Sequence, residues 1–264
     1  MKERHSDNIS ASSYIRWFET LSKNDVSLVG GKNASLGEMY RELTSKGIIV
    51  PNGFAVTADA YWSFIRGAGL DKKIKEWLKD LDVHDVVALK KIGKKIRTSI
   101  LATPLPKDIE KEIITAYRLL GKQCKQNNVS VAIRSSATAE DLPGASFAGQ
   151  QETFLHVRTE KEVLIKVRAC IASLFTDRAI SYRQAKGFDD TSVALSVCVQ
   201  QMVDASTGAS GVLFTVDTES GFTGVTVVTA SYGLGEYVVQ GRVIPDQYTV
   251  WKEGIKKNKA AIIG

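Results

Sequence analysis

Residues 131–157 read VAIRSSATAEDLPGASFAGQQETFLHV, and this stretch decides how the rest of the chain is interpreted. Val129, Val131 and Ile133 alternate as the residues of a β-strand do, which puts Arg134 at a strand end, followed by the short hydroxyl donors Ser135, Ser136 and Thr138. Gly144, Ala145, Ser146, Ala148 and Gly149 leave little side chain to keep a ligand from the backbone, and a row of backbone amides forms an anion-binding concavity. A second strand from Glu152 to Val157 closes a hairpin, with Thr153 offering a hydroxyl just inside it. The layout is one for holding phosphates.

The chain has 264 residues, 44% hydrophobic and 24% charged, the composition of an ordinary water-soluble protein with one large core or two modest ones. No run approaches the ~18 apolar residues of a membrane span. The first ten residues, MKERHSDNIS, are polar, so neither a membrane partner nor a secretory signal is expected and a cytoplasmic location is. Cys124, Cys170 and Cys198 lack metal-ligand or disulfide spacing and read as buried apolar residues. The net charge of +6 is local: residues 71–126 carry 14 Lys and Arg against 8 Asp and Glu, and the remainder balances. Those lysines interleave with Ile74, Trp77, Leu78 and Leu81, and with Ile92, Ile96 and Ile100, at helical spacing, as on solvated helix faces. Arginines and aromatics are nearly absent from them, so no nucleic-acid partner is expected.

Val26–Val29 reads as a short strand entering Gly30, Gly31 and Lys32, after which Leu36, Met39, Tyr40 and Leu43 mark a helix ending near Gly47. Thr57 suits the N-cap of a helix over 58–65. From about residue 129 the character is β, broken by an amphipathic helix bearing Val163, Ile165, Val167, Ile171 and Leu174. Strands are predicted over 193–199, 211–216, 225–230 and 247–251. A division near Thr191 gives two parts, residues 1–191 and 192–264.

Lys32 follows two glycines at the mouth of a helix, where an ammonium and helix N–H groups converge on one anion. It is not a P-loop, because Val26 stands where the first glycine of that motif belongs and Asn33 replaces its Ser or Thr. A glycine turn with a surface lysine is the alternative. Arg134 can pair two phosphate oxygens at once, or else form a structural ion pair with Glu140 or Asp141. Gln200 ends an apolar strand, where its amide can face a purine edge or simply be solvated. His5, His84 and His156 form no triad or zinc cluster, and Asp217 with Glu219 reads as a capped turn.

The segments VGGKNASLGEM, IRSSATAEDLPGASFAGQQETFLHV, SLFTDRAISYR, VALSVCVQQMV, ASGVLFTVDTESGF and ASYGLGEYVVQG, in this order, resemble the nucleotide-binding region of the phosphoenolpyruvate synthase (pyruvate, water dikinase) family. Pyruvate phosphate dikinases and rifampicin phosphotransferases are related alternatives, and a stand-alone nucleotide-binding module is a third. The resemblance implies an α+β ATP-grasp fold, with residues 1–191 and 192–264 as its two subdomains and ATP, accompanied by Mg²⁺, between them. It implies that Lys32 and Arg134 hold phosphates, that Gly149 and Thr153 belong to the loop over the triphosphate, and that Gln200 lies at the adenine end. The family's reaction turns ATP, pyruvate and water into AMP, phosphoenolpyruvate and phosphate through a phosphohistidine on a separate domain, with a further barrel domain for pyruvate. No histidine here sits in such a motif, and the closing strands on which the family places an Asp-x-Glu pair for magnesium and a Gln-x-Arg pair for the phosphates are expected to lie beyond these 264 residues. The fold is therefore expected to be truncated before its last strands, and the isolated chain to bind nucleotide weakly and turn over no pyruvate.

Overall fold

The hairpin predicted around Arg134 is present, and it lies at one edge of a five-stranded antiparallel sheet. The computed structural model describes residues 14–138, 152–187 and 193–264. They fall into two compact units that divide between Met202 and Val203.

In the first unit the elements run β1 (Ile15–Trp17), α1 (Val26–Thr44), β2 (Gly53–Val56), α2 (Ala58–Gly67), α3 (Leu70–Leu78), α4 (Val86–Ala102) and α5 (Lys107–Gln123). They continue with β3 (Val131–Ala137), β4 (Thr153–Val157), α6 (Glu160–Ser173), α7 (Asp177–Ala185) and β5 (Leu195–Gln201). The sheet order is β1-β2-β5-β3-β4. Strand β5 is thus central, bonded to β2 on one side and to β3 on the other. This moves the end of the first unit from the expected place near Thr191 to Met202, because a strand cannot leave a sheet that it holds together. The apolar character of both faces of that run is what a central strand requires.

Alternation along the strands separates two cores. Phe54, Val56, Val131, Ile133, Val197 and Val199 face the large one, which buries Tyr61, Phe64, Ile96, Ile100, Ile113, Tyr117 and Val167 from α2, α4, α5 and α6. Each such aromatic or branched side chain contributes roughly 1.5–3 kcal/mol by leaving water. On the other face Ala55 and Cys198 meet Phe18, Leu21, Val29 and Ala34, so small side chains let α1 lie close against β3 and β5.

Two local readings are corrected. Val26–Val29 is the first turn of α1 and not a strand; the kink that separates it from the following helix is Gly30, at φ 73° and ψ 163°. Two valines three apart share one face of a helical turn, and the 3₁₀ turn before them, capped by Ser22 and Asp25, starts the chain coiling. Arg134 lies in the middle of β3 and not at its end, since Ser135, Ser136 and Ala137 continue the ladder opposite Val197, Ser196 and Leu195. Two other local readings are borne out: Thr57 accepts from the Ala60 amide at the start of α2, and α6 carries Val163, Ile165, Val167 and Ile171 of the predicted apolar residues, with Leu174 at its C-cap.

The second unit is an antiparallel sheet of β6 (Ala209–Phe214), β7 (Val225–Tyr232) and β8 (Asp246–Trp251), with α8 (Gly235–Val239) packed on β6 and β7, and α9 (Lys252–Lys256) after β8. Ile262 bridges to Val250 along the free side of β8. Asp217 accepts from the Glu219 amide and the Ser220 hydroxyl, the capped turn read from the sequence. Among the described residues no helix is long and apolar enough to cross a membrane.

Candidate phosphate-binding site

The backbone at Gly30 explains why this position has no side chain. Its dihedral angles fall where essentially only glycine is found, and a Cβ would be driven into the carbonyl and hydroxyl oxygens of Ser136. The helix then resumes at Gly31, so Lys32 still sits in the first turn of a helical segment, with the positive end of its dipole at hand. The local reading of a strand was wrong, yet the placement of Lys32 at a helix mouth stands.

Asn33 fixes this turn to the sheet. It is fully buried; its backbone amide donates to Ser136 Oγ at 3.3 Å, and its Nδ2 donates to Val29 O and to Ser196 Oγ, both at 3.0 Å. Ser196 Oγ in turn donates to Val56 O at 2.7 Å. One chain of hydrogen bonds therefore links α1, β3, β5 and β2.

Beside this anchor Gly31, Lys32, Ser35, Leu36, Met39, Arg134 and Cys198 line a cavity of about 330 Å³. Its two ionisable cations come from different elements, α1 and β3, and no carboxylate lines it among the described residues. Cys198 forms part of the wall. Burial pushes its thiol up to about 12, while the nearby Arg134 and Lys32 charges pull the other way. The cysteine read as merely apolar thus lies within the electrostatic reach of both cations.

The remaining predicted residues share this face of the sheet to different degrees. Thr153 is directly opposite Arg134 on β4 and is exposed. Gln200 is two residues beyond Cys198 on β5, buried, and its Nε2 donates to Pro51 O at 3.2 Å. It does not line the cavity with Lys32 and Arg134. Gly149 lies outside the described residues. What the sequence reading missed is Asn33, although it continues the Leu36, Tyr40 and Leu43 stripe one turn back: a polar residue on a packing face was the signal.

A larger cavity of about 670 Å³ lies among α4, β4, α6 and α7. Its cations Lys94, Arg97 and Arg178 share it with Glu152 and Asp177, and Arg97 Nη1 is bonded to Asp177 Oδ1 at 2.9 Å. That balance of charge suits a polyphosphate less well than the Lys32 and Arg134 pair does.

Comparison with known sequences identifies the family of the chain. The sequence profile described as pyruvate phosphate dikinase, AMP/ATP-binding domain, matches residues 26–262. Phosphoenolpyruvate synthases of Helicobacter pylori and Neisseria meningitidis are 50% and 53% identical over 95% and 96% of this chain. That of Escherichia coli is 50% identical over 97%. The chain spans about a third of the length of these curated relatives, at 31%, 32% and 32% respectively. A profile that matches nearly the whole of residues 26–262, together with relatives at this identity, establishes that the chain belongs to the pyruvate phosphate dikinase AMP/ATP-binding domain family.

Proposed function

We propose that the cavity between α1 and β3 is the phosphate end of an ATP site, in an ATP-grasp arrangement, and that it serves the formation of phosphoenolpyruvate from pyruvate, ATP and water. The observation that carries this reading is the convergence of Lys32 and Arg134, from separate elements, on one cavity that no carboxylate lines among the described residues. Arg134 supplies a planar fork for two phosphate oxygens, and Lys32 a compact charge at a helix mouth. Thr153, opposite Arg134 on β4, offers its hydroxyl to the triphosphate. Gln200, held by Pro51 O through its Nε2, keeps its carbonyl oxygen as an acceptor toward the base.

Mg²⁺ accompanies the nucleotide in this proposal. The described wall of the cavity does not fit a divalent cation of its own, for among the described residues it offers no carboxylate and no cluster of three His, Cys, Asp or Glu side chains that suits a metal. No step is derived through the ion. In a protein of the relatives' length, the phosphohistidine and pyruvate-binding domains are the partners that this site feeds.

Titration of the chain with Mg-ATP tests the binding half, and pyruvate-dependent AMP release by the protein of full length tests the reaction. A one-site heat with ATP and AMP release coupled to phosphoenolpyruvate are expected. Absence of any nucleotide heat refutes the assignment of the cavity.

A further inference from the structure

We infer that Asn33 is the positioning residue of this site: it locks the Gly30–Gly31–Lys32 turn to β3 and β5 and so holds the Lys32 ammonium opposite Arg134. The inference rests on the proposal that the cavity takes a polyphosphate. Three geometric facts carry it. Asn33 is fully buried, and its three hydrogen bonds end on three different elements: Val29 O within α1, Ser196 Oγ on β5 and Ser136 Oγ on β3. The backbone just before it passes through the glycine-only conformation of Gly30, packed on Ser136, so the helix kinks there and contacts with the sheet must fix its direction. Lys32, the residue next to Asn33, lines the cavity, whereas neither Asn33 nor Ser196 does.

Asparagine suits this role better than its neighbours in size. Its Nδ2 has two donors, and both are used, one toward a main-chain carbonyl and one toward a hydroxyl that is itself donating to Val56 O. Aspartate would turn an oxygen toward Val29 O, and leucine would leave Ser196 Oγ and Val29 O without their donor. The two donor links of the buried amide hold one geometry, and the loss of either frees it. Among the described residues nothing donates to the buried Oδ1 atom, so the side chain is placed by what it donates.

The test compares ligands that differ in the end of the site they use. With Asn33→Ala, affinities for ATP and tripolyphosphate are expected to fall about tenfold, the scale of one misplaced charge-assisted contact, while affinity for adenosine stays unchanged. Ser196→Ala removes the partner without touching the cavity and is expected to lower tripolyphosphate affinity in the same direction. The double variant is expected to lose less than the product of the single losses, because the two side chains form one link. A purely structural loss would weaken adenosine and tripolyphosphate together and would overturn the inference, as would unchanged tripolyphosphate affinity in Asn33→Ala. If Asn33→Ala does not fold, Ser196→Ala with the same ligand pair gives the decision. A wild-type chain that binds neither ATP nor tripolyphosphate refutes the nucleotide reading itself, and the role of Asn33 with it.

Discussion

Replacing Gly30 by alanine separates two costs that the structure assigns to this one position. The first is conformational: at φ 73° and ψ 163° a residue with a Cβ is strained by about 1–3 kcal/mol. The second is steric, because the new methyl would overlap the carbonyl and hydroxyl oxygens of Ser136, buried groups of β3 that cannot swing away. Overpacking of that kind costs about 1–3 kcal/mol more. The sum is roughly 2–6 kcal/mol, a large part of the stability of an ordinary domain. Gly69 provides the control, since its φ of 64° is also positive but nothing lies within 4 Å of a Cβ built there. Gly69→Ala therefore carries only the conformational cost, about 1–2 kcal/mol. Denaturant unfolding of the three proteins measures both terms, at about 2–4 °C of melting temperature per kcal/mol for a chain of this size. If Gly30→Ala is no more destabilising than Gly69→Ala, Ser136 does not hold the α1 turn as described, and the argument for how Lys32 is aimed fails.

Arg134→Lys keeps the charge but removes the fork, and it should weaken ATP by about tenfold or more in a titration. Folded stability should fall as pH rises from about 9 to about 12, because the Cys198 thiol ionises in the unfolded chain well before it does in the folded one. The folded state then holds the extra proton, so each pH unit in that window costs about 1.4 kcal/mol, and Cys198→Ala should flatten the slope in alkaline unfolding curves. Tyr117→Phe removes a hydroxyl whose one proton is shared between Val129 O at 2.8 Å and Arg158 O at 2.5 Å, tying α5 to the residues just before β3 and just after β4. It should cost about 1–3 kcal/mol in chemical unfolding and leave ATP affinity unchanged.

The sequence made the hairpin of β3 and β4, the capped start of α2, the amphipathic face of α6 and the strands of the second unit legible, because each has a local period or cap that tertiary packing does not override. Val26–Val29 was misread because four residues cannot distinguish a period of 2 from one of 3.6. The mid-strand place of Arg134 was hidden by Ser135, Ser136 and Ala137, small residues that look like a loop but pair with β5 inside the sheet. The division at Met202 depended on a non-local fact, the pairing of β5 with two strands far away in the chain. At the site, Lys32 and Arg134 were readable as cations beside glycine and small hydroxyl residues. Asn33 and Cys198 were not, since their roles come from the face of the sheet on which they lie, and that face is set by register.

The central claim is that Lys32 and Arg134 grip one polyphosphate together. A double-mutant cycle on Mg-ATP affinity, with Lys32→Ala, Arg134→Ala and the double variant measured by calorimetry, tests it most directly. The account predicts losses of at least about tenfold for each single change and a double loss that departs from their product. ATP affinity unaltered by either substitution would contradict it.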